Sequence, residues 1–238
     1  MELEQYTTVE VDEPRVDNRL MVVRKREVAV GVDIGQAHDP TAIAIVTKVT
    51  TRAAEPLLEH LNPEPHARFD VQHLERFKLG TPYPAQVDAL ESMLIRPPLN
   101  RLSPRVLVDY TGVGRPVFDM FAGRHALRRA QGVVITGGRD TARNGTGWSV
   151  PKGELVAKLQ ALLHAGQLRI AATLPDAPTL LRELQDFRVR FTDAGNATFN
   201  SREGAHDDLV LALALAVFGL SRPEHVRELD VVWPGRTG

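Results

Sequence analysis

Four aspartates in this chain have the placement that phosphate chemistry asks for. Asp207 and Asp208 stand side by side, immediately before twelve uncharged residues running from Leu209 to Leu220. Adjacent acids at the start of a helix have an ordinary use as caps, because the helix dipole favours carboxylates there. A sharper use is to bind a cation, and that requires further acids brought in from other elements. Two are available. Asp33 lies near the end of the run EVAVGVDIG, and Asp109 follows the apolar VLV of PRVLVDYTGVG. Hard cations such as Mg²⁺ and Mn²⁺ prefer carboxylate and water oxygens, and three carboxylates leave room for phosphate oxygens. Two such ions roughly 3.5–4 Å apart activate water and stabilise the leaving oxygen of an in-line displacement. The chemistry implied is phosphoryl transfer without a protein nucleophile.

The elements that must position these acids are legible in order. From Leu209 to Phe218 every residue is Leu, Val, Ala or Phe, so this helix is apolar all round and needs cover on most sides. It is far too short for a bilayer, which takes roughly 20 apolar residues. In EVAVGVDIG, Val28, Val30, Val32 and Ile34 alternate with Ala29, Gly31, Asp33 and Gly35. One face of that strand is core. The other is nearly bare, leaving the Asp33 carboxylate open to whatever approaches the sheet closely. TAIAIVTKVT then predicts a second strand hairpinned to the first, with His38 and Asp39 as structural turn residues. ARFDVQHLERFKLG reads as a third strand, and YPAQVDALESMLIR as a helix stopped by Pro97 and Pro98. The Asp109 strand is followed by a glycine turn and a helix, which puts the acid at a carboxyl strand end, where open α/β sheets gather ligands. GVVITGG predicts a buried strand and VPKGELVAKLQALLHAG an amphipathic helix with Lys152 near its start. A helix and two extended pieces turning at Asp193–Asn196 complete the order before the apolar helix.

Composition narrows the classes. The 238 residues contain no cysteine, which excludes disulfides, thiolate metal sites and cysteine nucleophiles. No charged leader with an apolar region opens the chain, so a cytoplasmic protein is expected. The net charge of −1 gives no whole-molecule attraction to nucleic acid. Charge is nevertheless segregated: eight arginines between Arg101 and Arg143 face only Asp109, Asp119 and Asp140, whereas residues 1–19 carry six acids and two arginines. Arg101, Arg105, Arg115, Arg139, Arg143 and Lys152 are the expected phosphate-binding side chains. Residues 1–26 read as an acidic-then-basic arm, 27–222 as one α/β domain without internal repeat, and 223–238 as a tail.

VGVDIGQAHDPTAIAIV, VLVDYTGVG, SVPKGELVAKLQALLHAGQLRI, FRVRF and GAHDDLVLALALA together resemble the nuclease domain of the phage terminase large subunit, over about residues 27–222. The resemblance implies a ribonuclease-H-like fold, with a central mixed sheet of three antiparallel and then parallel strands flanked by helices. It implies that Asp33 bridges two Mg²⁺ or Mn²⁺ ions, that Asp109 is the second acidic ligand, and that Asp208, helped by Asp207, is the third. It also implies cleavage of double-stranded DNA during genome packaging. The partners would then be a packaging ATPase domain or subunit, the portal and the small terminase subunit, with no membrane, in the cytoplasm of a phage's host. The chain departs from the full-length family in having no G-x-x-x-x-G-K-[ST] motif, so these 238 residues are expected to be either a nuclease domain excised from a two-domain subunit or a separately encoded one.

Three other classes compete. DIG and DYTGVG also suit an actin-like or sugar-kinase ATPase lobe, but those enzymes close two lobes on the nucleotide and this length supplies one. Holliday-junction resolvases share the fold and the acidic cluster, with less likeness in the hairpin and HDD segments. A non-enzymatic DNA-binding module leaves the converging acids unexplained, because acids repel phosphate unless a cation lies between.

Overall fold

The computed structural model describes residues 22–35, 39–53, 66–112, 114–145, 147–186, 188–191, 197–200 and 207–222. Strand β1 (Val22–Asp33) pairs antiparallel with β2 (Ala42–Ala53), which pairs antiparallel with β3 (His66–Arg76). On the other side of β1, the strands β4 (Arg105–Asp109), β5 (Gln131–Thr136) and β7 (Gly147–Pro151) run parallel to it. Short strands β6 (Ala142–Asn144) and β8 (Leu168–Ile170) close the edges, giving the order β6-β7-β5-β4-β1-β2-β3-β8. This is the expected mixed sheet of three antiparallel and then parallel strands.

Alternation along β1 sorts two cores onto opposite faces of the sheet. Val28, Val30 and Val32 join Ile43 and Ile45 of β2 against α1 (Tyr83–Leu94), which buries Val87, Leu90 and Leu94 at helical spacing, and against the helix α3 (Gly114–Asp119). A four-residue helix, α2 (Leu99–Leu102), leads into β4. On the other face, Ala29, Ala42, Ala44 and Val46 meet α4 (Lys152–His164) and α6 (Asp208–Ser221). The helix α5 (Ala177–Asp186) adds Leu180 to this core, while β9 (Arg188–Phe191) and β10 (Ala197–Asn200) form a separate antiparallel hairpin.

The small residues on β1 serve α6. A Cβ placed on Gly31 would lie 1.9 Å from the carbonyl oxygen of Ala212 and 2.6 Å from the Ala216 nitrogen, so the helix backbone rests directly on the strand. The face expected to be nearly bare is thus fully covered, and what approaches so closely is a helix.

Several further expectations are corrected. β1 begins at Val22, inside the stretch read as an arm, because residues 22–26 pair with 49–53. Strands β6, β7 and β8 lack a legible pattern in the sequence: β8 is three residues long, and β7 runs straight into the helical pattern of α4. The rest of the arm (1–21), the tail (223–238), His38 and the 193–196 turn lie outside the described residues.

Candidate functional site

The four aspartates and one lysine meet at one edge of the sheet. Asp33 is the last residue of β1 and Asp109 the last of β4, and the two strands are parallel neighbours with Val32 opposite Val108. Their carboxyl groups are therefore side by side. The helix α6 is antiparallel to β1 and delivers Asp208 from its first turn to the same edge. Asp208 lies one turn before Ala212, the residue that rests on Gly31, so its side chain is on the sheet-facing side of the helix.

Burial makes this cluster electrostatically demanding. Asp33 is 8% and Asp208 4% exposed. Burial, and then the charges of Asp109, Asp208 and Asp207, push the Asp33 carboxyl well above its usual range, against a smaller opposing effect of Lys152. Asp109 is also raised by burial, opposed by hydrogen bonds from Thr111 and from Asp33. The Thr111 amide donates to Asp109 Oδ1 at 2.8 Å, while the Thr111 hydroxyl accepts from the Ile135 amide at 2.9 Å. That turn is thereby tied to β5 as well as to Asp109.

Asp207 has a different surrounding. Its carboxylate accepts a hydrogen bond from Lys152 Nζ at 2.7 Å and makes no side-chain cap to its own helix. The ordinary capping role is filled from elsewhere: Glu183 Oε2 on α5 accepts the amides of Leu209 at 2.9 Å and Val210 at 3.2 Å. Glu183 Oε1 accepts from Arg76 at 3.2 Å. Burial raises the Glu183 carboxyl to about 7, with Asp208 adding to the rise and the Val210 amide and Arg76 opposing it. Neither Glu183 nor Arg76 is distinguished by the sequence, since neither lies in a motif that would mark it.

The donor set is all carboxylate, as a hard divalent cation prefers. Among the described residues no three His, Cys, Asp or Glu side chains already converge on one point at ligand spacing. Lys152 and the Asp33–Asp109 hydrogen bond offset the charge in this arrangement. Four carboxyls around one lysine, with Asp33 raised by burial and by the charges of the other three, fit a cation in their midst.

The expected phosphate-binding residues divide between two ends of the molecule. Lys152 opens α4 at the acid edge, exposed Arg115 lies over the Tyr110 ring just beyond Asp109, and exposed Arg139 follows the carboxyl end of β5. Arg101 on α2 precedes β4 and so belongs to the opposite end, while Arg143 stacks on Trp148 at 4.1 Å. Arg105 is corrected outright: it donates to the carbonyls of Gly219 and Arg222 at 2.7 Å and pairs with Glu27 at 2.8 Å, closing the carboxyl end of α6. A cleft of about 900 Å³, lined by Arg105, Arg128, Arg143 and Trp148, lies at that end and not beside the acids.

No family model matches the chain. A 65-residue segment, 27% of the chain, is 37% identical to the terminase large subunit of Thermus phage G20c, and spans 13% of that protein's length. The crystal structure of the large terminase nuclease from thermophilic phage G20c superposes with a TM-score of 0.55 at 20% identity, covering 82% of each chain. The same nuclease with bound magnesium gives 0.52 at 21% identity, over 81% of this chain and 80% of that one. The chain thus has a ribonuclease-H-like fold, similar over most of its length to that of the large terminase nuclease of phage G20c, and over 65 residues it is similar in sequence to that phage's terminase large subunit.

Proposed function

We propose that this chain is a metal-dependent endonuclease that hydrolyses phosphodiester bonds of double-stranded DNA, as the terminase large subunit does in phage genome packaging. The observation that carries the proposal is the convergence of buried Asp33 and Asp208 and half-buried Asp109 with the Asp207–Lys152 pair at the carboxyl ends of β1 and β4. Two Mg²⁺ or Mn²⁺ ions held there would supply a Lewis acid for the scissile phosphate and a water acidified enough to attack it. Divalent metal use is supported by the magnesium bound in the similar G20c nuclease.

Asp33 lies within electrostatic reach of both Asp109 and Asp208, and so is the residue suited to serve both ions. Asp109 is oriented by the Thr111 amide, and Asp208 by its place on the sheet-facing side of α6. Lys152, paired with Asp207 at 2.7 Å, would be the side chain to meet a phosphate oxygen of DNA at this site. Arg115 and Arg139 extend the same cationic edge along the backbone.

This reading makes duplex DNA the substrate. It assigns residues 27–222, with the start of β1, to one nuclease domain, and gives the ATPase domain or subunit, the portal and the small terminase subunit as packaging partners in the host cytoplasm. Among the described residues no helix is long and apolar enough to cross a membrane. The test is supercoiled plasmid incubated with the protein and Mg²⁺ or Mn²⁺, beside an EDTA control. Nicked and linear products that vanish with EDTA are expected, together with no heat of ATP binding by calorimetry. Micromolar ATP binding without cleavage would move the chain to the phosphotransferase class.

A further inference from the structure

We infer that Glu183, held by Arg76, is a positioning residue that fixes Asp208 relative to Asp33; the inference rests on reading that cluster as the nuclease site. The first amides of a helix have no partner inside it, and α6 is too deeply buried to leave them to water. Asp207, the residue at the capping position, makes no side-chain cap and is engaged by Lys152 instead. One oxygen of Glu183 takes two of those amides, Leu209 and Val210, the two residues directly after Asp208. The turn carrying Asp208 is therefore held by a side chain of another helix.

The other oxygen of Glu183 leads back to the sheet. Arg76 pairs with Ala42 across β3 and β2, and Ala42 pairs with Asp33 across β2 and β1, so Arg76, Ala42 and Asp33 form one rung of the sheet. Glu183 thus bridges the rung that ends in Asp33 to the helical turn that begins with Asp208. A neutral cap of the Ser or Asn type would satisfy the same amides. A carboxylate placed beside Asp208 adds repulsion there, and what it gains is the ion pair that anchors α6 to that rung. Residues that orient metal ligands characteristically change metal affinity or activity by about 10- to 100-fold when removed.

The experiment compares wild type with Glu183→Ala, Glu183→Gln and Leu180→Ala, the last a buried residue one turn earlier on α5. Mn²⁺ affinity is measured by calorimetry and amide hydrogen exchange is followed at Leu209 and Val210. Glu183→Ala should weaken Mn²⁺ binding by about 10- to 100-fold and speed exchange at both amides. Glu183→Gln keeps an acceptor for the amides but loses the ion pair with Arg76, so it should fall measurably between wild type and Glu183→Ala in both readouts, and it stands in if the alanine variant does not fold. Leu180→Ala should lower Tm and leave Mn²⁺ affinity within about twofold, since it changes packing alone. Unchanged exchange at Leu209 and Val210 in the Glu183 variants would overturn the inference, as would an equal loss of Mn²⁺ affinity in Leu180→Ala. Asp33→Asn separates the two readings: Mn²⁺ bound equally well by it and wild type removes the metal-site reading, and the exchange data then decide the Glu183 contact alone.

Discussion

Asp207 and Asp208 are chemically alike and adjacent, and the fold gives them unlike surroundings. Successive helical residues point about 100° apart. Asp208 is buried toward Asp33, while Asp207 is half-buried and paired with Lys152. Asp208→Asn should stay inactive at every Mg²⁺ or Mn²⁺ concentration, whereas Asp207→Asn should be partly rescued at high metal, as a titration of cleavage rate would show. The acids also set a pH dependence. Asp33, Asp109 and Glu183 are all raised on folding, Glu183 from 4.5 to about 7. For a raised carboxyl the folded chain binds more protons than the unfolded chain, so the stability it contributes is complete below the unfolded value. That contribution is lost as pH rises through the folded value. Glu75, lowered by its hydrogen bond with His73, works in the opposite sense. Metal-free protein should therefore melt at higher temperature near pH 5 than near pH 8. Added Mg²⁺ should recover stability at the higher pH by binding only the folded form. A shallower pH profile in Asp33→Asn would assign part of the slope to the cluster, with Glu183 carrying the remainder.

The helix α6 is the element on which the site depends, and its position is fixed along its whole length. Glu183 holds its first turn, Gly31 admits its middle, and Arg105 with Lys48 satisfies its final carbonyls. Replacing Gly31 with Ala forces a methyl group into the Ala212 carbonyl, so the helix must lift from β1. A loss of roughly 1–3 kcal/mol in denaturant unfolding is expected. Metal affinity should weaken as well, because lifting α6 separates Asp208 from Asp33. The sequence reveals this helix through its unbroken apolar run and β1 through its alternation, and both acids follow from their place at the ends of those elements. It does not reveal that the Gly31 face of β1 receives the helix. An alternation of small residues is the same whether the neighbour is a ligand or another backbone. Glu183 is equally hidden, since a lone Glu on an amphipathic helix reads as surface until the fold buries it against another helix's amides.

At the scale of the molecule, charge segregation along the chain overstates the basic face. Eight arginines between Arg101 and Arg143 look like one patch in sequence. The sheet carries Arg115 and Arg139 to the acid edge, and Arg101, Arg105 and Arg143 to the other end, because β4 and the β5–β6 connection cross the domain between them. Direction of travel through a strand is not visible in composition. Removing the charge of Arg115, Arg139 or Lys152 should flatten the log–log salt dependence of DNA binding by roughly 0.9 for each phosphate that is no longer neutralised. Removing Arg101 or Arg143 should leave it unchanged. The reverse pattern would mean that DNA crosses the Arg105 end.

The most direct measurement is the rate of plasmid cleavage in Mg²⁺ and Mn²⁺ by wild type and by Asp33→Asn, Asp109→Asn and Asp208→Asn, each shown to be folded by its melting curve. The proposed site, in which these three carboxylates would serve one phosphoryl transfer, predicts the same outcome from three distant points in the sequence, a loss of roughly 10²–10⁴ in rate for each. Cleavage at the wild-type rate in the folded Asp33→Asn protein would contradict the account.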